Sequence, residues 1–291
     1  MACSQSLLQE YNKPAEVYFC ESSNCTNIIS ENILSSTKVD CALYSLTADD
    51  VIKALKEKNA RVIVDDDNLK KLKEKLNVRT DQARSLMHNK FCILDEEKVI
   101  TGSFNPTKTK QDDANNLLIF HSKILAKNYE EEFEEIWSHK RQKSVVTGSF
   151  VLNDNLLENY FCPEDNCKDH IYYTLKSASK SIKFITYSFT DNKIGDLLLD
   201  KSKDIEVKGI FSSTQNSDFS QYNKLKEFSK KSKKIHDKVF IIDDETVVTG
   251  SYNPTTNGDK KNDENILIIH DKEIAKKYVS EFEKLWLLSS T

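Results

Sequence analysis

Apolar residues fall along this chain in two alternating rhythms. Short blocks rich in Val, Ile, Leu and Phe, at 17–20, 39–46, 60–64 and Asn116–His121, read as strands. Between them the spacing turns helical. One helix is predicted to start near Thr26 or Asn27, both good N-caps. Another opens at Thr47-Ala-Asp-Asp and runs to about Asn59, and a polar one covers 66–76. Residues 87–94 and 98–101 alternate like two strands joined by a tight turn at Asp95-Glu96-Glu97. Lys123–Ser138 then sets Ile124, Leu125, Tyr129, Phe133, Ile136 and Trp137 along one helical face. Strands alternating with helices imply an α/β architecture with a largely buried sheet.

The same order is then written again. VYFCESSNC (17–25) matches NYFCPEDNC (159–167), and ALYSLT (42–47) matches ITYSFT (185–190). MHNKFCILDEEKVITGSFNPT (87–107) matches IHDKVFIIDDETVVTGSYNPT (235–255), and NLLIFHSKILAKNYEEEFEEIW (116–137) matches NILIIHDKEIAKKYVSEFEKLW (265–286). The offset is 142 from Cys20 to Cys162, 148 from His88 to His236 and 149 from Asn116 to Asn265. The second copy therefore holds 148 − 142 = 6 extra residues before its histidine and 149 − 148 = 1 after it, lengths that belong in loops. A repeat this long is not a solenoid. It predicts two homologous α/β/α half-domains, 1–138 and 150–291, joined by a linker at 139–149 and related by a pseudo-twofold axis. VVTGSF (145–150) echoes the Thr-Gly-Ser-Phe string without its companions and is expected to be a chance match in the linker.

Composition narrows the class. Hydrophobic residues make up 38% of 291 and charged residues 30%, a soluble balance with enough apolar material for a core. No apolar run reaches the roughly 18 residues of a membrane span, and the N-terminus does not look like a secretory signal, so a cytoplasmic protein is expected. A net charge of −4 excludes a globally basic nucleic-acid binder but allows a local basic site. Of seven cysteines, Cys3, Cys41 and Cys92 stand alone, while Cys20/Cys25 and Cys162/Cys167 form two C-x4-C pairs. Zinc, local disulfides or reduced thiols at equivalent turns all fit the pairs, and a cytosolic setting favours reduced thiols.

The repeated polar residues carry the chemistry. A lone His-x-Lys on a strand means little. His88, Lys90 and Asp95 followed by Ser103 and Asn105, repeated as His236, Lys238, Asp243, Ser251 and Asn253, is far more specific. Histidine and lysine two apart on a strand share a face. Serine and asparagine just past the paired strand can curl over the same spot. An ammonium, a hydroxyl and an amide suit a tetrahedral oxyanion such as phosphate. Two such sets facing across a twofold would put one imidazole on each side of one phosphorus. One ring attacks and the other hands a proton to the leaving oxygen, with lysines rather than a metal supplying positive charge.

These segments resemble the His-Lys-Asp motifs of the phospholipase D superfamily, and in detail its nuclease branch, the bacterial endonucleases of the Nuc type. The resemblance covers nearly the whole chain. It implies His88 and His236 as nucleophile and general acid, Lys90, Lys238, Asn105 and Asn253 as phosphate-binding with Ser103 and Ser251 in support, and Asp95 and Asp243 as structural. It implies no cofactor. In that pattern a glutamate before the next strand hydrogen-bonds the histidine. The second half has it as Glu264, while the first half has Asn115 in its place. On this reading His236, backed by Glu264, should be the more basic ring.

The superfamily cuts nucleic acids and phospholipids alike. Basic runs precede both histidines: Lys70, Lys71, Lys73, Lys75, Arg79 and Arg84, then Lys224, Lys226, Lys230, Lys231, Lys233 and Lys234. They are either solvated helix faces or rails for a phosphate backbone. Phe104, Tyr252, Tyr187 and Phe189 are either core or base-stacking groups. With no membrane anchor, no evident interfacial helix and no room for an added lipid-binding domain, the expected partner is single-stranded DNA or RNA, bound by a monomer with one site between its halves. A phospholipid-hydrolysing or transphosphatidylating enzyme is the alternative, and it should show an apolar rim around the cleft.

Overall fold

The computed structural model describes residues 7–72, 75–81, 85–109, 112–140, 147–214 and 217–290. The first half comprises β1 (Gln9–Glu10), β2 (Glu16–Phe19), α1 (Cys25–Leu34), β3 (Val39–Leu43), α2 (Asp49–Glu57), β4 (Arg61–Val64), α3 (Asp66–Leu69), β5 (Asn77–Thr80), β6 (Lys90–Leu94), β7 (Lys98–Gly102), β8 (Asn116–His121) and α4 (Lys123–Ser138). The second half contains β9 (Ser149–Leu152), β10 (Asn155–Cys162), α5 (Cys167–Lys176), β11 (Ser181–Thr186), α6 (Asn192–Lys201), β12 (Glu206–Ser212), α7 (Tyr222–Leu225), β13 (Ser229–Ser232), β14 (Lys238–Ile242), β15 (Thr246–Gly250), α8 (Thr256–Lys260), β16 (Glu264–Ile269) and α9 (Lys272–Leu288).

One sheet runs β2-β8-β7-β6-β3-β4-β5, and the other repeats that order as β10-β16-β15-β14-β11-β12-β13. The second sheet continues past β10 through β9 to β1, so residues from the start of the chain pair in parallel with Val151 and Leu152. Phe150 is fully buried, so the end of the VVTGSF string is strand and core, while Val145 and Val146 lie outside the described residues. The helices α4 and α9 put Tyr129, Phe133, Tyr278 and Phe282 into a central core with strands of both sheets. Separate cores fill the outer faces, under α1 and α2 in one half and α5 and α6 in the other. The burial of apolar area against a common centre is what presses the two halves together.

Several expected boundaries move for local reasons. The first helix begins at Cys25, capped by Asn24, whose side chain accepts from the Asn27 amide. Thr47 does not cap α2; its amide and that of Ala48 donate to the Pro106 carbonyl, which ties the helix start to the loop after Ser103. The polar helix expected over 66–76 stops at Leu69, and Asn77–Thr80 becomes an edge strand paired in parallel with β4. The strands holding each histidine start at Lys90 and Lys238 rather than at 87 and 235.

The cysteines also differ from the reduced-thiol expectation. Disulfides join Cys20 to Cys25 and Cys162 to Cys167, with Cα separations of 5.4 and 5.7 Å set by the turn before α1 and α5. A third joins Cys41 to Cys92, which sit opposite each other on β3 and β6. Residues 51 apart in sequence give no sign of that register. Disulfides persist in oxidising compartments and are rare in the cytosol, so the cytoplasmic expectation loses the support that free thiols would have given it. Among the described residues no helix is long and apolar enough to cross a membrane.

Candidate functional site

The site is built by two short parallel bridges that cross between the halves. Met87 pairs with Asp263 and Ala114 pairs with Ile235. The His88 amide donates to the Asp263 carbonyl at 2.9 Å, and the His236 amide donates to the Ala114 carbonyl at 3.0 Å. Each histidine is thereby fastened to the segment that enters β16 or β8 of the opposite half. Both rings open into one cleft of about 420 Å³, lined also by Tyr44, Asn68, Lys71, Asn105, Tyr187 and Asn253.

That crossing decides which residue supports which ring, and it reverses the sequence expectation. Glu264 Oε2 accepts from Nδ1 of His88 at 2.7 Å, not from His236. His236 Nδ1 instead donates to Asn115 Oδ1 at 2.8 Å. A repeated motif reads the same whether a side chain serves its own half or the other, so sequence spacing could not separate the two. His88 is buried at 7% exposure, while His236 is half-buried. Burial pushes His88 down to about 4; Glu264 opposes this and the positive charge of Lys90 adds to it. Glu264 fixes the Nδ1–H tautomer and so leaves the ring's lone pair on Nε2.

Beneath the rings lie Lys90 and Lys238. Each ammonium donates to the carbonyl of its own histidine, at 2.5 and 2.6 Å, and each faces a tyrosine ring, Tyr44 at 5.2 Å and Tyr187 at 5.4 Å. The same tyrosines lie against the imidazoles, with ring centroids 4.8 and 4.9 Å apart. Burial holds Lys90 well below the ordinary lysine range, and the charge of Lys238 adds to the effect. Two buried ammonium groups whose charges bear on each other favour an anion between them. Tyr44 was missed as a site residue although its place in the ALYSLT/ITYSFT repeat marks it as the counterpart of Tyr187.

Gly102 and Gly250 shape the loops that leave β7 and β15. Their φ values are +139° and +148°, and an added Cβ would lie 2.3 Å from the Asn116 carbonyl oxygen and 2.2 Å from that of Asn265. Only glycine lets the chain turn there and present the next residues. Asn105 and Asn253 do line the cleft, and the Oδ1 of each is buried with no hydrogen-bond partner. Ser103 and Ser251 do not curl over the cleft as expected. Both are fully buried, and each hydroxyl accepts from a backbone amide in the first two residues of the next strand, at 3.0 Å from Asn116 and 2.9 Å from Asn265.

Asp95 and Asp243 sit at the far ends of their strands. Asp95 accepts from the amides of Thr37 and Lys38, and Asp243 from those of Ser179, Lys180 and Ser181. Burial raises both carboxyls, but these backbone donors outweigh it and hold them below the usual range. They anchor the loop into β3 or β11 and touch no part of the cleft.

Among their described residues the basic runs do not form two rails along the cleft. Arg79 lies 4.3 Å over Trp137 and Lys230 lies 4.5 Å over Trp286, each also donating to that tryptophan's carbonyl. Lys224 pairs with Asp196, and Lys231 covers Tyr222. Lys73 and Arg84 lie outside the described residues. Among the described members of both runs, Lys71 lines the cleft. Phe104, Tyr252 and Phe189 are core, and Tyr187 alone of the aromatics singled out from the sequence reaches the site.

Comparison with known proteins gives the family and the fold. Residues 29–137 and 171–286 match the family model described as "Cardiolipin synthase, PLD-like domain". A "Phospholipase D" of Rickettsia bellii is 30% identical over 142 residues, which is 45% of this chain and 69% of the relative. The Nuc phospholipase D family member of Salmonella typhimurium is 25% identical, covering 46% of this chain and 95% of its own, with a TM-score of 0.43. Phosphatidylserine synthase of Haemophilus influenzae is 10% identical but superposes over 96% of this chain and 86% of its own, with a TM-score of 0.67.

Proposed function

Because the chain belongs to the phospholipase D-like family of phosphodiesterases, we infer that it hydrolyses phosphodiester bonds, and that its substrate is a single-stranded nucleic acid. The observation that carries this reading is the shared cleft, in which both histidines and both asparagines meet. The choice of substrate rests on the lining, where Tyr44, Ser45, Asn68, Thr107, Thr109 and Tyr187 are polar and Leu86 is the one aliphatic side chain among the described residues. A bilayer-bound lipid would call for an apolar rim, whereas a flexible strand needs polar contacts, positive charge and exposed ring faces.

His88 is the nucleophile. Its ring stays neutral at pH 7 because burial depresses it, and Glu264 orients it. Nε2 attacks phosphorus, and the P–O bond to the leaving oxygen breaks as that oxygen takes a proton from His236. Water, deprotonated by His236, then attacks phosphorus and breaks the P–N bond. Lys90 and Lys238 neutralise the phosphate oxygens, and Asn105 and Asn253 turn their amides to donate to them. No step calls for a metal ion.

The test is incubation of labelled single-stranded DNA, RNA and phospholipid vesicles with wild type, H88A and H236A in EDTA. Cutting of the strands by wild type alone is the expected result. Release of head groups from vesicles with strands left intact would move the assignment to lipid. Activity that appears only on adding magnesium would defeat the mechanism.

A further inference from the structure

The two histidines differ in their C-terminal neighbour as well as in the residue that backs the ring. His88 precedes Asn89 and is backed by Glu264; His236 precedes Asp237 and is backed by Asn115. The exchange is reciprocal, so each side of the site keeps one buried carboxylate but supplies it from a different position. On the His236 side the groups form a chain. Asn115 Oδ1, which accepts from the ring, lies 3.1 Å from Ser103 Oγ, and Ser103 Oγ lies 3.2 Å from Asp237 Oδ1. Asn116 Nδ2 donates to the same Asp237 oxygen at 2.7 Å, and Asn115 Nδ2 donates to the Asp113 carbonyl. Asn115, Ser103 and Asp237 are all buried.

Ser103 has one proton and two acceptors within reach. An ionised Asp237 is the stronger acceptor and takes it. Asn115 Oδ1 is then left to the Nδ1–H of His236, with its own amide donor held by Asp113. We propose that Asp237 is a positioning residue for His236, acting through Ser103 and Asn115 to hold the ring in the Nδ1–H tautomer and to supply the negative charge that Glu264 gives His88 directly. This role deepens the phosphodiesterase reading and rests on it. Burial pushes the Asp237 carboxyl up to about 6, against the donors Asn116 and Ser103 and the charge of Lys238. Glu21, Glu281 and Tyr278 are the other titratable groups that bear on it, and burial together with Glu21 pushes Glu281 up to about 8.

The experiment uses the full chain as wild type, D237N, S103A, N115E and N115E/D237N. It reads His236 by NMR titration of its ring and kcat/KM for a labelled single strand across pH. In D237N the His236 pKa should fall by about half a unit or more as the carboxylate is removed. The basic limb of the profile, where the acid must stay protonated, should move down with it, and kcat should drop roughly 10-fold. S103A should move the His236 titration in the same direction. N115E alone sets two buried carboxylates together and should be the slowest variant. N115E/D237N copies the arrangement around His88 and should return to within a few-fold of wild type. An unchanged His236 titration in both D237N and S103A, or a double variant no better than either single, would overturn the proposal. If wild type cleaves no phosphodiester, the phosphodiesterase reading fails, while the titration still decides whether Asp237 acts on His236.

Discussion

The two halves share a strand order but fill it differently. At one paired position on β3 and β6 the first half places Cys41 opposite Cys92 and bonds them. At the matching position on β11 and β14 the second half places Phe184 opposite Phe240, with ring centroids 6.0 Å apart. The larger rings need room, and the neighbouring strand provides it. Phe184 lies beside Gly209, where an added Cβ would come within 1.9 Å of the ring; the first half has Val62 beside Cys41. Phe184 then joins Phe189 and Phe211 in an aromatic cluster. The ladder and its register are what the two copies hold in common. The chemistry that fills them is free to change if neighbours change with it. The site obeys the same rule, with Glu264 and Asn89 on one side answered by Asn115 and Asp237 on the other.

The sharpest test of whether the halves act as one site is catalytic. H88A and H236A should each cut turnover by at least about 10⁴-fold, and the double variant should lose no more, because the rings act as a unit. Single variants that each keep about half of the wild-type turnover, read by steady-state cleavage, would mean two independent sites. The next effect is on stability. F184A should cost about 3–5 kcal/mol by urea unfolding, since it empties a packed cluster. C41A/C92A should cost about 2–4 kcal/mol by the same measurement, and an equal cost would make the two solutions equivalent.

A smaller effect separates the two rings. E264Q should lower kcat/KM by about 10- to 100-fold, as loss of a ring-orienting carboxylate does elsewhere. The attacking ring must be neutral, so the rate should fall as pH drops through about 4 rather than through the ordinary histidine range. Glu264 raises the His88 pKa, so E264Q should move that acid limb lower still. A limb that moves upward in the pH–rate profile would contradict the assignment of Glu264 to His88. Smallest should be R79A and K230A, each about 0.5–1 kcal/mol for the lost cation–π contact at equivalent tryptophans, by thermal unfolding.

Much of this was legible in the chain. Lys123–Ser138 was bounded correctly because Ser122 caps it and its apolar face is regular. The motif residues His88 and Asn105 and their copies reach the cleft, with Lys90 and Lys238 buried beside them, because short local spacing on strand and turn fixes their side. The serines misled because a hydroxyl beside a phosphate-binding amide reads the same whether it faces the cleft or the strand behind it. The basic runs stayed open between two readings because a lysine lying on a tryptophan 56 residues away has no local mark.

The sequence by itself determined that there are two copies, what each strand and helix is made of, and which polar side chains are repeated in both, since these depend on neighbours a few residues apart. Only the tertiary structure decided that Glu264 serves His88 and that Asn115 serves His236. Both arrangements have identical spacing along the chain, and the choice between them is made by the bridges Met87–Asp263 and Ala114–Ile235, which exist only once the shared core has drawn the halves together.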